Sequence, residues 1–381
     1  MLNWSETLLK VVISGTGVYT PPATITNAEL VESFNKYVQE FNAQHASEIT
    51  AGNIKPLEES SVAFIEKASG IKKRHVMDKQ GVLNTATMHP VLEERPNDEN
   101  SILCEMAVAA AKQAMAAANR TPQDIDHVIV ACSNLQRAYP AISIEVQGAL
   151  GINGYAFDMN VACSSATFGL QNAASAIQSG AAKCVLIVNP EICSAHLNFR
   201  DRDSHFIFGD VCTAIIVESA ETAASNNCFE IIDINLKTQF SNNIRNNFGF
   251  LNRTAPGSEK TSDKLFIQQG RKVFKEVSPM VAELITAQLS RLQTESSQIK
   301  RLWLHQANLN MNQLIAKKVL GREASEDDAP TILDEYANTS SAGSIIAFHQ
   351  HSQDFVAGNL GVLCSFGAGY SAGSVVLKKR A

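Results

Sequence analysis

A cysteine stands between an apolar stretch and a run of small residues in NVACSSATFGL, residues 160–170. The small residues after Cys163 predict a helix that begins at or just after it. A thiol at a helix N-terminus faces unpaired backbone N–H groups and the positive end of the helix dipole, which lower its pKa and can also stabilise an oxyanion. The pattern indicates a nucleophile. The alternative is that Cys163 is a small buried packing residue, as most cysteines are.

Two further residues could converge on this thiol. His305 ends the apolar run in LWLHQAN, and the ends of strands that are covered on both faces are where catalytic side chains emerge. Asn338, in EYANTSSAG, lies beside a second small-residue stretch. A cysteine thiolate, a neutral histidine and an asparagine amide can together perform acyl transfer on a thioester. The alternatives are a structural histidine and an asparagine that caps a helix.

Internal similarity indicates a duplicated unit. TPQDIDHVIVACSN (121–134) aligns without a gap with ESSQIKRLWLHQAN (295–308), and the surroundings of Cys163 match those of Asn338 at nearly the same offset. In this alignment His305 corresponds to an alanine in the first copy. Because one copy carries a titratable group where the other is inert, the asymmetry favours a functional histidine.

The elements around these segments predict an α/β protein. Helical patterns at 101–118 and 274–292 precede the two copies, and apolar runs without clean alternation are typical of strands covered on both faces. We expect one layered body made of two halves, 1–222 and 223–381, with the active site where the halves meet. Residues from about 30 to 100 break the symmetry, and we interpret them as a cap insertion over the first half.

Composition narrows the class of protein. The chain has 381 residues and a net charge of −6, which argues against a nucleic-acid-binding protein because there is no overall positive field. The N-terminal residues lack the pattern of a signal peptide, and no apolar run approaches the roughly 18 residues of a spanning helix. The eight cysteines form no CxxC pairs, as expected for a reducing compartment. We therefore predict a cytoplasmic protein.

Cofactor and metal motifs are missing from the sequence. The glycine-rich turn SFGAGYSAGS (365–374) does not continue into a G-x-G-x-x-G motif that opens a helix, so we reject a dinucleotide site. His349 and His351 have no further ligands at metal spacing and are interpreted as residues of a solvated helix face. We expect no cofactor and no metal ion.

The motifs taken together resemble one family. NVACSSATFGL, LWLHQANLN, EYANTSSAGS and SFGAGYSAGS occur in the order and spacing of β-ketoacyl-acyl carrier protein synthase III, a thiolase-like condensing enzyme. The resemblance implies a thiolase-like α-β-α-β-α fold, a homodimer and a catalytic triad of Cys163, His305 and Asn338. It implies an acyltransferase of fatty acid synthesis: the cysteine takes an acyl group from an acyl-CoA or acyl-carrier protein, and malonyl-acyl carrier protein loses CO₂ and condenses with it.

The resemblance also assigns residues outside the triad. Tyr139 matches an aromatic residue that crosses the dimer interface to close the partner's acyl pocket, and Arg202 matches an arginine at the nucleotide end of coenzyme A. Phe64 stands where the familiar bacterial enzymes have a tryptophan that stacks on adenine. The remaining assignments are substrate binding by Gly367 and Gly369, and carrier-protein binding by Lys275, Lys317 and Lys318.

Departures from the family leave the substrate open. Ala68 and Asn310 replace arginines expected near the donor, which weakens the case for acetyl-CoA and leaves room for a longer acyl chain. One alternative is a specialised ketosynthase of secondary or hydrocarbon metabolism. Another is a non-catalytic partner subunit, although such a subunit would be expected to lack part of the triad. A thiolase is disfavoured because Ser365, not a cysteine, stands in the final glycine-rich turn.

Overall fold

The computed structural model describes residues 9–255, 257 and 262–381, so part of the N-terminal stretch that argued against a signal peptide lies outside it. Thirteen strands lie within the described residues. They are β1 (Val11–Tyr19), β2 (Ala23–Thr26), β3 (Lys73–Val76), β4 (His127–Ala131), β5 (Tyr155–Met159), β6 (Cys184–Ile192), β7 (Asp210–Ser219), β8 (Phe229–Ser241), β9 (Ile244–Arg245), β10 (Ile267–Gln268), β11 (Ile299–Leu304), β12 (Leu360–Gly367) and β13 (Gly369–Lys379).

Eleven α-helices lie in the same described residues. They are α1 (Asn27–Gln44), α2 (Ala46–Thr50), α3 (Val62–Ser69), α4 (Lys79–Leu83), α5 (Ile102–Ala118), α6 (Ile142–Leu150), α7 (Ser165–Gln178), α8 (Gly270–Arg291), α9 (Leu309–Leu320), α10 (Leu333–Tyr336) and α11 (Gly343–Gln350). The helices predicted at 101–118 and 274–292 are α5 and α8. Pro279 lies inside α8, where it neither begins nor ends the helix.

The main sheet is built twice from the same pattern. Its strand order is β11-β12-β13-β8-β1-β7-β6-β4-β5. On one side β1 pairs antiparallel with β7, β7 with β6, and β6 pairs parallel with β4; on the other side β8, β13, β12 and β11 repeat these relations. The two half-sheets join only through Val12 opposite Glu230 and Ile13 opposite Phe229. This repeat in the sheet agrees with the duplication inferred from sequence.

Five layers result from where the helices pack. Helices α5 and α6 cover the outer face of the first half-sheet, and α8 and α9 cover the outer face of the second. Between the half-sheets lie α7 and α11, whose apolar side chains share one core with strands of both. Because this core is enclosed on both sides, its strands are apolar without alternation. The predicted α-β-α-β-α arrangement is confirmed.

The predicted boundary between residues 222 and 223 falls in the connection from β7 to β8. It therefore separates the two half-sheets along the chain. The core around α7 and α11 is nevertheless common to both halves. Whether 1–222 and 223–381 are separate domains stays a prediction.

The segment predicted as a cap over the first half contacts both halves. Its α1, α3 and α4 and the β2–β3 pair form a core with Phe199 and Phe206 of the first half and with Leu333 of the second. The backbone N–H of Lys72 also donates to the carbonyl of Asp334 at 3.2 Å. The segment therefore contacts residues on both sides of the junction, and its role as a cap insertion stays a prediction.

One side-chain prediction was wrong. We expected His349 to lie on a solvated helix face, but it is only partly exposed and its Nδ1 lies 2.8 Å from the Thr16 hydroxyl. The reason is that α11 lies in the layer between the half-sheets, where its residues 343–348 are buried and Gln350 is exposed at its end. Among the described residues no group of histidine, cysteine and acidic side chains could hold a metal ion. None of the described helices is long and apolar enough to cross a membrane.

Contact between β1 and α5 depends on glycine. A Cβ at Gly17 would lie 2.2 Å from the carbonyl oxygen of Ala110, and one at Gly15 would lie 2.3 Å from that of Ala114. Real Cβ atoms do not approach so closely, so strand and helix can meet only where the side chain is a hydrogen atom.

We expect Gly17→Ala to lower the free energy of unfolding by about 2–3 kcal/mol or more, because the methyl group must push α5 away from the sheet. Urea unfolding followed by circular dichroism measures this. Gly148→Ala on α6 is the matched control, since a Cβ there meets nothing within 4 Å. Equal stability of the two variants would contradict the packing described.

Candidate active site

A cavity of about 400 Å³ lies at the junction of the two halves, and Cys163, His305 and Asn338 all line it. These three residues come from the connections that follow β5, β11 and α10. Six of the remaining lining residues are phenylalanines: Phe64, Phe206, Phe208, Phe266, Phe274 and Phe366. The structure therefore brings the three predicted residues to one end of an apolar chamber. Its size is within the range of about 300–1,000 Å³ that is usual for small-molecule sites.

Cys163 sits in a short 3₁₀ turn, Ala162–Ser164, from which α7 begins at Ser165. It is partly exposed, whereas the other seven cysteines are buried. This difference favours a nucleophile over a packing residue. The preceding residue, Ala162, has a φ of 46°, a conformation that non-glycine residues rarely adopt and that clusters at functional sites.

The thiol is closely surrounded. The Ser340 hydroxyl lies 3.5 Å from the Cys163 sulfur, in position to donate a hydrogen bond to it. On the other side, a Cβ at Gly367 would lie 2.6 Å from the Cys163 Cβ and 2.9 Å from its sulfur. Gly367 therefore leaves room for the thiol, which explains a glycine at this point of the closing turn. Ser340 itself has a φ of 51°, a backbone conformation that non-glycine residues rarely adopt.

The expectation of a lowered thiol pKa was wrong for the unliganded protein. Burial raises the pKa of Cys163 to about 11, and the hydrogen bond from Ser340 offsets this only in part; the nearby Glu191 raises it further. Loss of hydration therefore outweighs the helix N-terminus, because the charged form of a thiol is strongly disfavoured away from water.

His305 lies just after β11 and is 2% exposed. Its backbone N–H donates to the carbonyl of Cys364 at 2.7 Å, and its ring meets the Phe366 ring edge-on with centroids 5.2 Å apart. Burial lowers the pKa of the imidazole to about 3, against a smaller raising effect from the Ser340 backbone. The ring is therefore neutral at physiological pH and can act as a hydrogen-bond donor.

Asn338 is fixed by both its main chain and its side chain. Its N–H donates to the carbonyl of Ile207 at 3.0 Å, and its carbonyl accepts from the N–H of Gly209 at 3.1 Å. The side-chain Oδ1 accepts from the Ser340 N–H at 2.9 Å, which leaves the amide NH₂ as the donor for a ligand. The alternative of a helix cap does not hold, because α11 begins at Gly343 and Asn338 does not cap it.

Phe64 and Arg202, both predicted to bind the acyl donor, contact each other. Phe64 lines the cavity, and the guanidinium of Arg202 lies 4.4 Å from the centre of the Phe64 ring. Arg202 is held there because its Nε donates to the carbonyl of Glu59 at 2.8 Å. A contact between an arginine and an aromatic face is a cation–π interaction. Gly369, by contrast, is exposed at the start of β13 and does not line the cavity.

The other predicted residues lie outside the cavity. Tyr139 is 85% exposed, in the connection between β4 and α6. Lys275 is exposed on α8, and Lys317 and Lys318 are exposed on the neighbouring α9. Lys317 also forms an ion pair with Glu323. The structure brings none of these four to the reacting groups.

Sequence reasoning missed the polar side chains of the cavity lining and one buried acid near the site. Arg271, Gln268 and Asp203 add polar side chains to the cavity lining, and within the described residues Arg271 forms no ion pair. The available signal was the basic run GRKVFK at the start of α8. The buried acid Glu191 was also missed, although a carboxylate at the end of the apolar strand CVLIVNPE is itself unusual.

We expect alkylation of Cys163 by iodoacetamide to accelerate about tenfold per pH unit between pH 7 and pH 10, because only the thiolate reacts and its fraction grows in this proportion below the pKa. Peptide mass spectrometry of the Cys163 peptide measures the rate. Cys228 is an internal reference whose pKa is also raised by burial. A Cys163 rate that stopped rising near pH 7 would contradict the raised pKa.

Comparisons with known proteins identify the family that this chain resembles. Models of 3-oxoacyl-[acyl-carrier-protein] synthase III and of its C-terminal part match residues 157–239 and 289–379. A beta-ketodecanoyl-[acyl-carrier-protein] synthase of Pseudomonas aeruginosa is 64% identical over 92% of this chain and 100% of its own length. A beta-ketoacyl-[acyl-carrier-protein] synthase III of Bartonella tribocorum is 27% identical over 97% and 100%.

Solved structures support the fold. The 3-oxoacyl-[acyl-carrier-protein] synthase III of Aquifex aeolicus superposes with a TM-score of 0.75 at 24% identity, covering 97% of this chain and 99% of that one. The OleA protein of Xanthomonas campestris gives 0.73 at 15% identity, with coverages of 97% and 99%. The thiolase-like fold implied by the sequence motifs is thus confirmed. Identity with a full-length relative at 64% then makes the chain a member of the 3-oxoacyl-[acyl-carrier-protein] synthase III family of condensing acyltransferases.

Proposed function

We propose that this enzyme condenses an eight-carbon acyl thioester with malonyl-acyl carrier protein to give β-ketodecanoyl-acyl carrier protein and CO₂, feeding primers into fatty acid synthesis. The observation that carries the proposal is the 64% identity with a protein named for a β-ketodecanoyl product. That product has ten carbons, and the malonyl group contributes two of them, so the donor supplies eight. The cavity supports this choice because six phenylalanines line it.

In the first half-reaction Cys163 is the nucleophile. Its sulfur forms a bond with the thioester carbon, the donor's carbon–sulfur bond breaks, and the thiol proton leaves with the donor thiol. The backbone N–H groups of Cys163 and Ala368 hydrogen-bond the sulfur and lower its pKa against the effect of burial. Such fixed donors are suited to the negative charge that develops during acyl transfer.

In the second half-reaction His305 and Asn338 bind the carbonyl oxygen of the malonyl thioester. The carboxylate leaves as CO₂, its electron pair forms the enolate, and the enolate carbon attacks the acyl-Cys163 carbonyl and expels the cysteine sulfur. A neutral imidazole and an amide NH₂ are the donors that an enolate oxygen needs, and burial keeps His305 neutral. No carboxylate base is required because decarboxylation generates the carbanion.

The outer end of the cavity is proposed to hold the rest of the thioester. Arg271 lines it with no carboxylate partner among the described residues, so it is available to the phosphate of a phosphopantetheine or coenzyme A. Phe64 and Arg202 would bind the donor beside it. Lys275 lies one turn along α8 from Arg271, and with Lys317 and Lys318 it would attract the acidic carrier protein.

We also propose a homodimer in the cytoplasm. Among the described strands, the edge strand β5 pairs with β4 alone, and it exposes Tyr155 and Phe157. Ile144, on the neighbouring α6, and Tyr139, in the connection before α6, are also exposed. An open, apolar edge of this kind is a site for strand pairing, and a second copy of the chain presents the matching edge. The eight cysteines, all in the described part, are free, as expected in a reducing compartment.

Substitutions should separate the two half-reactions. We expect Cys163→Ser to abolish acyl loading, whereas His305→Ala and Asn338→Ala keep loading within a few-fold and slow malonyl decarboxylation by about 10²–10³-fold, the usual cost of losing one oxyanion donor. Intact-mass spectrometry follows loading, and CO₂ release follows decarboxylation. Acyl transfer to a Cys163→Ser protein at another site, or full condensation by His305→Ala, would contradict the assigned roles.

Donor length is tested with acyl-CoAs of two to twelve carbons. Each buried CH₂ contributes about 0.8 kcal/mol, so even partial burial should give octanoyl-CoA more than a tenfold advantage over acetyl-CoA in kcat/KM of loading. Octanoyl-acyl carrier protein in the same assay shows which carrier delivers the chain. An optimum at two carbons would refute the eight-carbon donor.

A further inference from the structure

Glu191 is a buried acid that the proposed mechanism does not use. It lies near the end of β6 and is 1% exposed. Within the described residues no cation pairs with it. The donors around its carboxylate are the N–H and hydroxyl groups of Ser133 and Ser341 and the thiol of Cys193, whose sulfur lies 3.8 Å from Oε2. Burying a carboxylate without a cation is costly, so it persists only where several donors are fixed around it.

One set of donors comes from the turn of Asn338. The backbone N–H of Ser341 donates to Oε1 of Glu191 at 3.2 Å, and the Ser341 hydroxyl donates to the same oxygen. Ser341 follows Ser340, whose N–H holds the Asn338 side chain and whose hydroxyl reaches Cys163. The carboxylate therefore grips the turn that carries a reacting donor.

The other set comes from the end of β4. The backbone N–H of Ser133 donates to Oε1 at 3.0 Å, and its hydroxyl donates to Oε2 at 2.5 Å. Ser133 is itself anchored, because the side chain of Asn160 donates to its carbonyl at 2.8 Å. Ser133 therefore has a hydrogen bond within the first half that does not involve Glu191. Ser341 belongs to a turn that includes Ser340 at positive φ, and its hydroxyl also lies 3.3 Å from the carbonyl of Ala131.

We propose that Glu191 is a positioning residue that ties the Asn338–Ser341 turn of the second half to the end of β4 in the first, and so sets the place of the Asn338 amide in the second half-reaction. This inference rests on the proposed role of Asn338. It assigns a task to a residue that touches neither substrate nor the reacting atoms. An error of about 1 Å in the position of a catalytic group can cost about 10²-fold in rate.

Two substitutions at Glu191 distinguish a side chain that keeps these hydrogen bonds from one that removes them. Glu191→Gln keeps Oε1 for its three donors, and its new NH₂ group can donate to the Ser133 hydroxyl, which then turns to accept. Glu191→Ala leaves the N–H groups of Ser133 and Ser341 buried without this acceptor and removes the link between the turn and the end of β4, while the backbone hydrogen bonds of Asn338 to Ile207 and Gly209 remain. We therefore expect Gln to behave nearly as the unsubstituted protein and Ala to differ.

The experiment measures octanoyl loading of Cys163 and CO₂ release from malonyl-acyl carrier protein on the same preparations. For Glu191→Ala we expect decarboxylation to fall about 100-fold while loading falls less than about threefold, and for Glu191→Gln we expect both to stay within about threefold. A parallel fall of both rates in Glu191→Ala, or no fall in either, overturns the inference. So does failure of Gln to restore decarboxylation.

Controls cover folding and the underlying mechanism. Glu218→Ala removes another fully buried acid, which lies on β7 and accepts a hydrogen bond from Nε of Arg120 at 2.8 Å. This variant should lower stability without slowing one half-reaction more than the other. If Glu191→Ala does not fold, Ser341→Ala removes one donor from the same contact and should show a smaller loss with the same selectivity; its absence overturns the inference. If the unsubstituted protein neither loads nor decarboxylates, the proposed function fails, whereas normal rates in Glu191→Ala refute only the role of Glu191.

Discussion

Two half-sheets must close on the same pair of helices, and the chemistry follows from that constraint. Helices α7 and α11 share one apolar core with strands from both halves, although the sheet itself continues across only two residue pairs. Helix α7 starts beside Cys163 and α11 starts a few residues after Asn338. Packing the helices side by side therefore brings both starts to one place, and β11 delivers His305 to the same end of the layer.

Much of this arrangement could be predicted because it depends on patterns among residues that are close in the sequence. Apolar runs without alternation indicated doubly covered strands, and the small residues after Cys163 indicated a helix that begins beside it. The duplication then fixed which turns correspond. His305 stood out because its counterpart, Ala131, lies at the same point of a related strand and carries no functional group. Each of these signals lies within a short stretch of sequence.

What could not be predicted depends on contacts between distant segments. The pKa of Cys163 is raised by burial that no local pattern reports, so reasoning from the helix N-terminus alone gave the wrong direction. The serines around Glu191 are 58 residues before it and 150 residues after it in the chain. His349 was misplaced for the same reason, because a helix in an internal layer resembles a surface helix over a few residues.

The contact of Arg202 with Phe64 depends on the carbonyl of Glu59, which belongs to the segment that breaks the internal symmetry. Phe64, Ala68 and Ser69 of that segment line the chamber, whereas the three reacting side chains belong to other parts of the chain. Substitutions in this segment could therefore change which acyl donor binds while the three reacting residues stay unaltered.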